Sequence, residues 1–461
     1  MSQTTQSDDT SEKMQEEVAI HSSLTPEPGL AVETEPQPNG DLPKLRPLIF
    51  NRDYMLLWSG QVISALGSGI SGIVFPLLIL AITTSIANPQ GDTVIAGFAG
   101  AVGSLPYLLF SLPAGALIDR WNRKRVMMIC DAFRALNSAS IPLAIFLNGL
   151  TVWQLLINAF IEGCFFVFFN IAEVAALPRV VDKRQLPQAS AQNEGGGIAA
   201  GLVGPPLGTL LFQAVSRAFP FLIDAISYAV SVASLAFIKT EFQGERPKEE
   251  RHLLVEIREG LSWLWNQPLI RFMAFLTGGL NLVNAGTFLV LIVLAKDLGA
   301  EDYQIGFMVS IGALGGILGA AVGGTIQKRF TFGQVIITTG WVATIIYGFY
   351  IFAPNFIVLG ILMALSWMIG PIYNVVQFSY RLALIPERLL GRVNSTFRLV
   401  AFGFQPIGAA MSGVLLSAID TTNTLLVNLA ILVILSAATT INSHVRNARR
   451  IEELTGDQPA S

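Results

Sequence analysis

Long apolar stretches alternate with short polar stretches along most of the chain. A helix of about 20 apolar residues crosses the hydrocarbon core of a bilayer. The pattern predicts twelve such membrane spans, at 55–84, 93–118, 126–148, 152–180, 190–215, 218–238, 268–295, 303–326, 333–353, 355–384, 392–418 and 420–443. The sequence therefore predicts an all-α integral membrane protein with twelve transmembrane helices.

Two segments depart from this pattern. Residues 1–47 are rich in acidic residues, Ser, Thr and Pro, have no signal-peptide core, and are predicted to be a disordered tail. Apolar residues recur at helical spacing from Leu253 to Leu264, which predicts an amphipathic helix on the membrane surface. The predicted organisation is a tail at 1–47, six spans in 48–238, a linker at 239–267, six spans in 268–443 and a tail at 444–461.

Lysine and arginine lie almost entirely in alternate loops. If the N-terminus is cytoplasmic, the cytoplasmic loops and both tails hold nearly all of these residues, and the opposite side keeps only Arg217 and Lys296. This asymmetry predicts an even number of spans, with both termini in the cytoplasm.

The composition agrees with a membrane protein and argues against an enzyme. The chain is 52% hydrophobic and 13% charged, whereas soluble proteins average about 25% charged residues. The two cysteines lie inside apolar stretches, and the three histidines are far apart in sequence. Neither a metal-ligand cluster nor a nucleophile–base pair is apparent. We therefore expect no enzyme activity, cofactor, metal or nucleic-acid partner.

A short basic turn separates the second and third predicted spans. It reads Gly115-Ala-Leu-Ile-Asp119-Arg120-Trp-Asn-Arg123-Lys124-Arg125. A related pattern, Gly323-x-x-x-Gln327-Lys328, recurs at the equivalent loop between spans eight and nine, without the acid. The repeat predicts two homologous halves of six helices each, which is an architecture of secondary transporters.

These motifs resemble those of a known group of transporters. The basic turn resembles the loop 2–3 signature of the major facilitator superfamily. The segment Gly201-Leu-Val-Gly204-Pro205-Pro206-Leu-Gly208 resembles the motif of its drug/proton antiporters. Segments starting at Asn51, Leu186, Arg258 and Leu390 are similar to the bacterial branch of macrolide efflux proteins, enterobactin exporters and lysophospholipid transporters.

The resemblance covers roughly residues 48–445 and implies the fold of that superfamily, with two pseudo-symmetric halves. It also implies a monomer in a bacterial inner membrane. Two positions depart from the antiporter pattern. Ala159 stands where many antiporters carry an arginine in span four, and Gly208 is followed by Thr209 where a second glycine is usual.

Acidic residues inside the predicted spans are the candidates for proton coupling. Glu162 lies near the middle of span four, where an ionised carboxylate is costly unless it is paired or faces water. Asp224 in span six is the second candidate. Glu194, nearer the cytoplasmic end of span five, is the third, although a gate salt bridge fits it better. The alternative for Glu162 is a protonated acid with a structural role, and Asp131 and Arg134 are spaced to form a structural pair.

The resemblance implies a gate latch at the basic turn. In the resembling family the loop acid packs against the N-terminus of span eleven when the transporter faces outward, and neighbouring cations hold it there. The corresponding residues are Gly115, Asp119, Arg120, Arg123, Lys124 and Arg125. A solvated loop acid is the alternative for Asp119.

Polar residues on spans one, seven, ten and eleven are the candidates for a substrate cavity. In the resembling fold spans one, four, seven and ten line the cavity, and helix packing is the alternative for each small polar residue. The candidates are Gln61, Ser64, Ser68, Asn281, Asn284, Tyr373, Asn374, Gln377 and Arg398. Span five is expected to form a tight, proton-impermeable seam through Gly201, Gly204, Pro205 and Gly208, with a simple kink as the alternative.

Together these features predict a secondary transporter that exports an amphiphilic small molecule, by proton antiport and alternating access. Its partners would be the bilayer, the small-molecule substrate and protons. A lysophospholipid flippase or a siderophore exporter of the same fold is the first alternative. A transporter-like sensor or scaffold, with the acidic tail as its binding segment, is the second.

Overall fold

Helices make up nearly all of the computed structural model, which describes residues 47–84, 92–243, 253–386 and 389–448. The α-helices are α1 (Arg52–Thr83), α2 (Thr93–Arg120), α3 (Arg123–Phe146), α4 (Val152–Val180), α5 (Leu186–Ala214), α6 (Phe219–Phe237), α7 (Leu253–Asn266), α8 (Pro268–Asp297), α9 (Asp302–Arg329), α10 (Phe332–Phe349), α11 (Phe356–Leu384), α12 (Leu390–Gly403), α13 (Gln405–Ile441) and α14 (Ser443–Arg446). Short 3-10 turns lie at Leu48–Phe50, Lys183–Gln185 and Tyr350–Phe352.

Local polar residues fix where several of these helices begin. The side chains of Asn51, Asp92, Thr151 and Asn355 each accept hydrogen bonds from backbone amides in the first turn of the helix that follows. These caps satisfy amides that have no partner within the helix. The first ten predicted spans match helices to within a few residues, and α4 covers the predicted range 152–180, whereas predicted span eleven is divided between α12 and the first part of α13.

Eleven segments of the described chain are long and apolar enough to cross a membrane, so the protein is a multi-pass membrane protein. The last segment, Gly391–Ile441, has 51 residues and would extend far beyond one bilayer core as a single helix. It is broken inside α13 at Asp420, whose backbone is non-helical (φ 69°, ψ 174°). The Asp420 carboxylate accepts a hydrogen bond from the Asn423 amide (2.8 Å) and so caps the helix that follows. The predicted boundary between spans eleven and twelve lies at this break.

The helices pack in two sets with two connecting pairs. Within the first six helices, α1 packs against α5 and α6, α2 against α4, and α3 against α4 and α6. Among the later helices, α8 packs against α12 and α13, α9 against α11, and α10 against α11 and α13. The pairs α2–α13 and α5–α9 join the two sets.

The connecting pairs meet at one end of the bundle, which we call the closed end. A Cβ added at Gly413 of α13 would lie 2.5 Å from the carbonyl oxygen of Thr93 at the start of α2. A Cβ at Gly306 of α9 would lie 2.7 Å from the carbonyl oxygen of Pro205 in α5. At the same end, Gln213 donates a hydrogen bond to Glu301 (2.9 Å). Backbone-to-backbone packing therefore seals this end.

The buried apolar residues also differ between the two ends of the bundle. One cluster at the closed end is continuous across both sets of helices, from Leu77 in α1 through Val290 in α8 to Leu416 in α13. At the opposite end, the first set has its own cluster around Met127 and the later set has another around Phe397. Among the described residues, no buried apolar cluster joins the two sets at this end, which indicates a cleft opposite the closed end.

Helix α5 also packs closely on α1, but not through every residue that the sequence analysis named. A Cβ at Gly204 would lie 2.7 Å from the backbone carbon of Gly69, and one at Gly208 would lie 2.2 Å from the Ile70 carbonyl oxygen. The expectation of close approach was wrong for Gly201, where no atom lies within 4 Å of an added Cβ. Pro205 does not interrupt the helix, because α5 is continuous from Leu186 to Ala214.

The predicted amphipathic helix in the linker is α7, and it packs on the start of α12. Leu264 is completely buried, whereas Leu261 and Trp265 are exposed. Glu259 forms an ion pair with Arg392. A Cβ at Gly260 would lie 2.6 Å from the Arg392 carbonyl oxygen, so a glycine is needed at this contact.

We expect the substitution Gly260→Ala to destabilise the protein by about 1 kcal/mol or more, because α7 must move away from α12 to admit the methyl group. The measurement is the thermal unfolding midpoint of the purified protein in detergent. Gly391→Ala is the control, since an added Cβ there meets no atom within 4 Å. Equal midpoints for the two variants would contradict the packing role of Gly260.

Candidate functional site

A cavity of about 740 Å³ lies among α1 to α6. Its volume is within the range of small-molecule sites. Most of the lining is apolar, and α8 and α13 contribute Ala285, Phe288, Leu289 and Ala409. The polar part of the lining comes from the first six helices and includes Gln61, Ser64, Ser68, Ser71, Arg134, Asn137, Ser138, Asn158, Glu162, Asn170, Glu173, Asn193, Asp224 and Tyr228.

Arg134 of α3 is the central cation of this lining. Its Nη2 lies 2.6 Å from Oε1 of Glu162 in α4, and its Nη1 lies 3.6 Å from Oδ1 of Asp131, one turn earlier in α3. The guanidinium also lies 4.2 Å from the ring centroid of Tyr228. Arg134 is 5% exposed and Asp131 is fully buried. Two carboxylates and an aromatic ring thus stabilise a cation that would otherwise be costly to bury.

Tyr228 and two serines extend the network to α1 and α6. The Tyr228 hydroxyl donates to Glu162 Oε1 (3.1 Å) and shares a hydrogen bond with Ser68 Oγ (2.8 Å). Ser231 donates to Asp131 Oδ2 (2.6 Å). Four helices therefore hold the Arg134 cluster, so a shift of α1 or α6 would change the environment of Glu162.

Asp224 of α6 faces the same cavity, and no cation of the described residues is paired with it. It is 4% exposed, and its Oδ2 accepts hydrogen bonds from Ser71 (2.8 Å) and Ser138 (3.0 Å). Its Oδ1 is enclosed and has no hydrogen-bond partner in the described structure. A Cβ at Gly67 would lie 3.0 Å from this oxygen, so α1 packs closely over it. An ionised carboxylate would be poorly stabilised here, whereas a protonated one fits.

Several predicted site residues meet in this cavity. Gln61, Ser64, Ser68, Glu162 and Asp224 all line it. The third proton-coupling candidate is placed differently, because Glu194 is exposed and is not part of the lining.

The predicted cavity residues of the later helices do not line the described cavity. Asn284 and Asn374 are exposed, and Asn281 donates to the Ala401 carbonyl (2.8 Å). Tyr373 shares a hydrogen bond with Thr277 (2.7 Å), and Gln377 is buried. Arg398 contacts the Tyr107 hydroxyl and the Phe402 ring. The described cavity is therefore built mainly by one set of helices.

The side chain of Asp119 lies outside the described residues, so the latch remains a prediction. Arg123 donates to the carbonyls of Ala175 (3.0 Å) and Phe242 (3.3 Å), and Lys124 donates to that of Ile238 (2.6 Å). Arg120 and Arg125 are exposed, and an added Cβ at Gly115 meets no atom within 4 Å. Arg123 and Lys124 thus interact with carbonyls near the ends of α4 and α6, where a cation is favourable.

Sequence reasoning treated Arg134 as half of a local pair and did not select Tyr228 for the site. The residue spacing in the sequence could have indicated both residues. Asp131, Arg134 and Ser138 follow a spacing of three and four residues on α3, and Asp224 and Tyr228 are four apart on α6. Each set lies on one helix face. The connection of the two faces through Glu162 requires the packing of three helices.

Comparisons with known proteins agree with this architecture. A family model described as transmembrane secretion effector, of the major facilitator superfamily, matches residues 44–458. The multidrug efflux pump Tap of Mycolicibacterium fortuitum is 26% identical over 384 residues, which cover 79% of this chain and 89% of that protein. Macrolide efflux protein A of Streptococcus pyogenes is 24% identical over 371 residues, covering 78% and 88% of the two chains.

Solved structures show the same fold. The nucleoside transporter NupG has a TM-score of 0.66 at 15% identity, covering 84% of this chain and 98% of its own. A bacterial homologue of the iron transporter ferroportin, in an inward-facing state, has a TM-score of 0.67 at 15% identity, covering 86% and 99%. The resemblance drawn from the sequence motifs is confirmed, and the protein is a transporter rather than an enzyme. This chain belongs to the transmembrane secretion effector family of the major facilitator superfamily.

Proposed function

We propose that the protein exports amphiphilic, drug-like molecules from a bacterial cell in exchange for protons. The observation that carries the proposal is the buried Asp224 carboxyl group, which faces a largely apolar cavity without a cationic partner. The cavity is large enough for a drug-sized solute. The similarity to a multidrug efflux pump and a macrolide efflux protein supports export of such solutes.

The charges around the cavity support proton coupling. Besides Glu173, which also lines the cavity, the three carboxylates of Asp131, Glu162 and Asp224 lie near a single guanidinium, that of Arg134. With all four groups ionised the cluster would carry an excess of negative charge in a poorly solvated site, which protonation relieves. Because Glu162 is paired with Arg134 and Asp224 is not, we expect Asp224 rather than Glu162 to hold the proton in this conformation. Glu162, the leading candidate from sequence, then has the role of the paired acid.

We further propose twelve spans in two pseudo-symmetric halves, α1–α6 and α8–α13, with both termini cytoplasmic. The break at Asp420 supports separate spans eleven and twelve, and the loop cations support the orientation. In this orientation the closed end faces outward and the cleft faces the cytoplasm. Alternating access requires the closed end to open and the cleft to close, with Asp119 available as the latch. One chain supplies the whole cavity, so a monomer suffices.

The test is substrate-triggered proton release from acid-loaded inverted membrane vesicles, with a panel of macrolides and fluorescent dyes. We expect the wild type to release protons when a transported compound is added, and Asp224→Asn to reduce the signal to that of vesicles without the protein. The carboxamide retains the shape of the side chain but cannot load and release a proton.

Two further variants sharpen this test. Asp182→Asn is the control, since Asp182 is an exposed loop acid paired with Arg184, and we expect it to behave as the wild type. Glu162→Gln is expected to slow release, because it removes one partner of Arg134. Full release by Asp224→Asn would refute the assignment of the proton carrier. Substrate movement without any proton signal would refute antiport and favour a flippase.

A further inference from the structure

Charged residues inside the helices are segregated by sign. The first six helices carry Glu162, Glu173 and Asp224 along the cavity, together with Arg134, and the fully buried Asp131 lies behind Arg134. In α8 to α13 the acidic residues lie at or near helix ends or at the break in α13, at Asp297, Asp302 and Asp420. Cations that lie at least three residues from a helix end in these later helices include Arg271, Arg381 and Arg398.

Arg381 is a buried cation without a polar partner in the described structure. It lies in the last turn of α11 and is 5% exposed. Its Nε is enclosed and makes no hydrogen bond, and no carboxylate of the described chain lies within ion-pair distance of its guanidinium. Its contacts are with two aromatic rings, Phe397 at 3.9 Å and Phe378 at 5.3 Å from the ring centroids.

A second unpartnered donor lies one turn away on the same helix face. Gln377 is 6% exposed, and its Nε2 is enclosed without a hydrogen-bond partner. Tyr373, one further turn back, has its hydroxyl paired with Thr277. Residues spaced by four lie above one another on a helix. Gln377 and Arg381 thus place two unused N–H donors side by side among α8, α11 and α12.

Packing alone does not explain this arrangement. The C-terminal end of α11 and the two aromatic rings favour a cation, but both effects are weak compared with the cost of removing a guanidinium from water. An enclosed amide donor beside it adds a second unfavourable group. Two such donors on one face are the groups that a carboxylate or phosphate oxygen would satisfy.

We propose that Gln377 and Arg381 form a binding subsite for an anionic oxygen group, a carboxylate or a phosphate, of an amphiphilic molecule. The proposal rests on the proposed function, since it assigns an anionic or zwitterionic character to a class of molecules that the transporter binds. With this subsite, the first six helices would present acidic groups to a bound molecule and the later helices would present a basic one.

The experiment compares the binding of a rhodamine free acid and of its methyl ester to the purified full-length protein in lipid-free detergent. The two dyes share their aromatic body and differ in the free carboxylate. We expect the wild type to bind the free acid about tenfold more tightly, as a charge-assisted hydrogen-bonded contact would give. Arg381→Gln should remove this preference and leave the affinity for the ester unchanged.

Thermal stability separates a binding role from a structural one. Removing an unpaired buried cation should not lower the unfolding midpoint, and the free acid should raise the midpoint of the wild type but not of Arg381→Gln. Arg271→Gln is the matched control, because Arg271 also lies against an aromatic ring, Trp265, but donates a hydrogen bond to the Trp265 carbonyl (2.9 Å). We expect this control to keep the preference for the free acid.

The outcomes distinguish the subsite from the proposed function. Equal binding of both dyes by the wild type, or equal loss of both by Arg381→Gln, would overturn the subsite whatever the proton measurements show. A retained preference for the free acid without proton-coupled export of either dye would support the subsite and refute the antiport. If phosphatidylglycerol nanodiscs abolish the preference and phosphatidylcholine nanodiscs do not, the anionic group belongs to a membrane lipid rather than to a soluble solute.

Discussion

Replacing Arg134 by glutamine is expected to abolish transport and to lower the free energy of unfolding by about 3 kcal/mol. Arg134 is the cation that Glu162 and Asp131 share, and it is 5% exposed. Without it, the fully buried Asp131 and the partly exposed Glu162 lose their counter-charge, and they must either take up protons or draw in water. Removing one member of a buried ion pair is costly because the remaining charge is uncompensated.

A double-mutant cycle measures how much of this loss belongs to the pair with Glu162. We expect Arg134→Gln combined with Glu162→Gln to be more stable than Arg134→Gln alone, since one unpaired carboxylate has been removed. Transport should remain absent in the double variant, because the charges of both Arg134 and Glu162 have been removed. Stability is measured as unfolding of the purified protein in detergent, and transport as proton release from vesicles.

The control for this prediction is Arg217→Gln. Arg217 is exposed and lies between α5 and α6, outside the candidate spans, so we expect little change in either measurement. Wild-type stability in Arg134→Gln would contradict the central role of the cluster. A stability loss that Glu162→Gln does not relieve would show that packing against Tyr228, rather than charge, is what Arg134 contributes.

The substitution Gly208→Ala is expected to lower the free energy of unfolding by about 2 kcal/mol and to prevent normal transport. An added Cβ at this position would lie 2.2 Å from the carbonyl oxygen of Ile70. The obstructing atom is backbone, so it cannot move aside as a flexible side chain could. Helices α1 and α5 must separate, which disturbs packing next to the closed end. This loss exceeds the gain of about 1 kcal/mol that alanine brings to a helix interior.

Gly201→Ala is a matched control on the same helix. No atom lies within 4 Å of an added Cβ at Gly201, so we expect this variant to be neutral or slightly more stable. The measurement is the fraction of monodisperse protein after heating, by size-exclusion chromatography with a fluorescent fusion. Equal behaviour of the two alanine variants would contradict the close contact between α1 and α5.

The sequence alone determined most of the long apolar helices and their approximate limits. Apolar length is a local property, and so are the capping side chains of Asn51, Asp92 and Thr151, so the helices could be located without knowledge of their neighbours. The sequence also identified Glu162 and Asp224 as unusual, since an acid within an apolar span is costly wherever the helix packs. The basic turn and the Gly-Pro segment were enough to recognise the superfamily.

The tertiary structure decided which of these residues act together. Periodicity shows that Arg134 and Ser138 share a face of α3, but not that this face meets Glu162 of α4 and Asp224 of α6. Likewise, the spacing of Gln377 and Arg381 gives their common face, but not that both donors are buried without a partner among the described residues. The physical reason is that a helix's residue spacing fixes directions around its own axis, whereas burial and charge pairing depend on the rotation and approach of neighbouring helices.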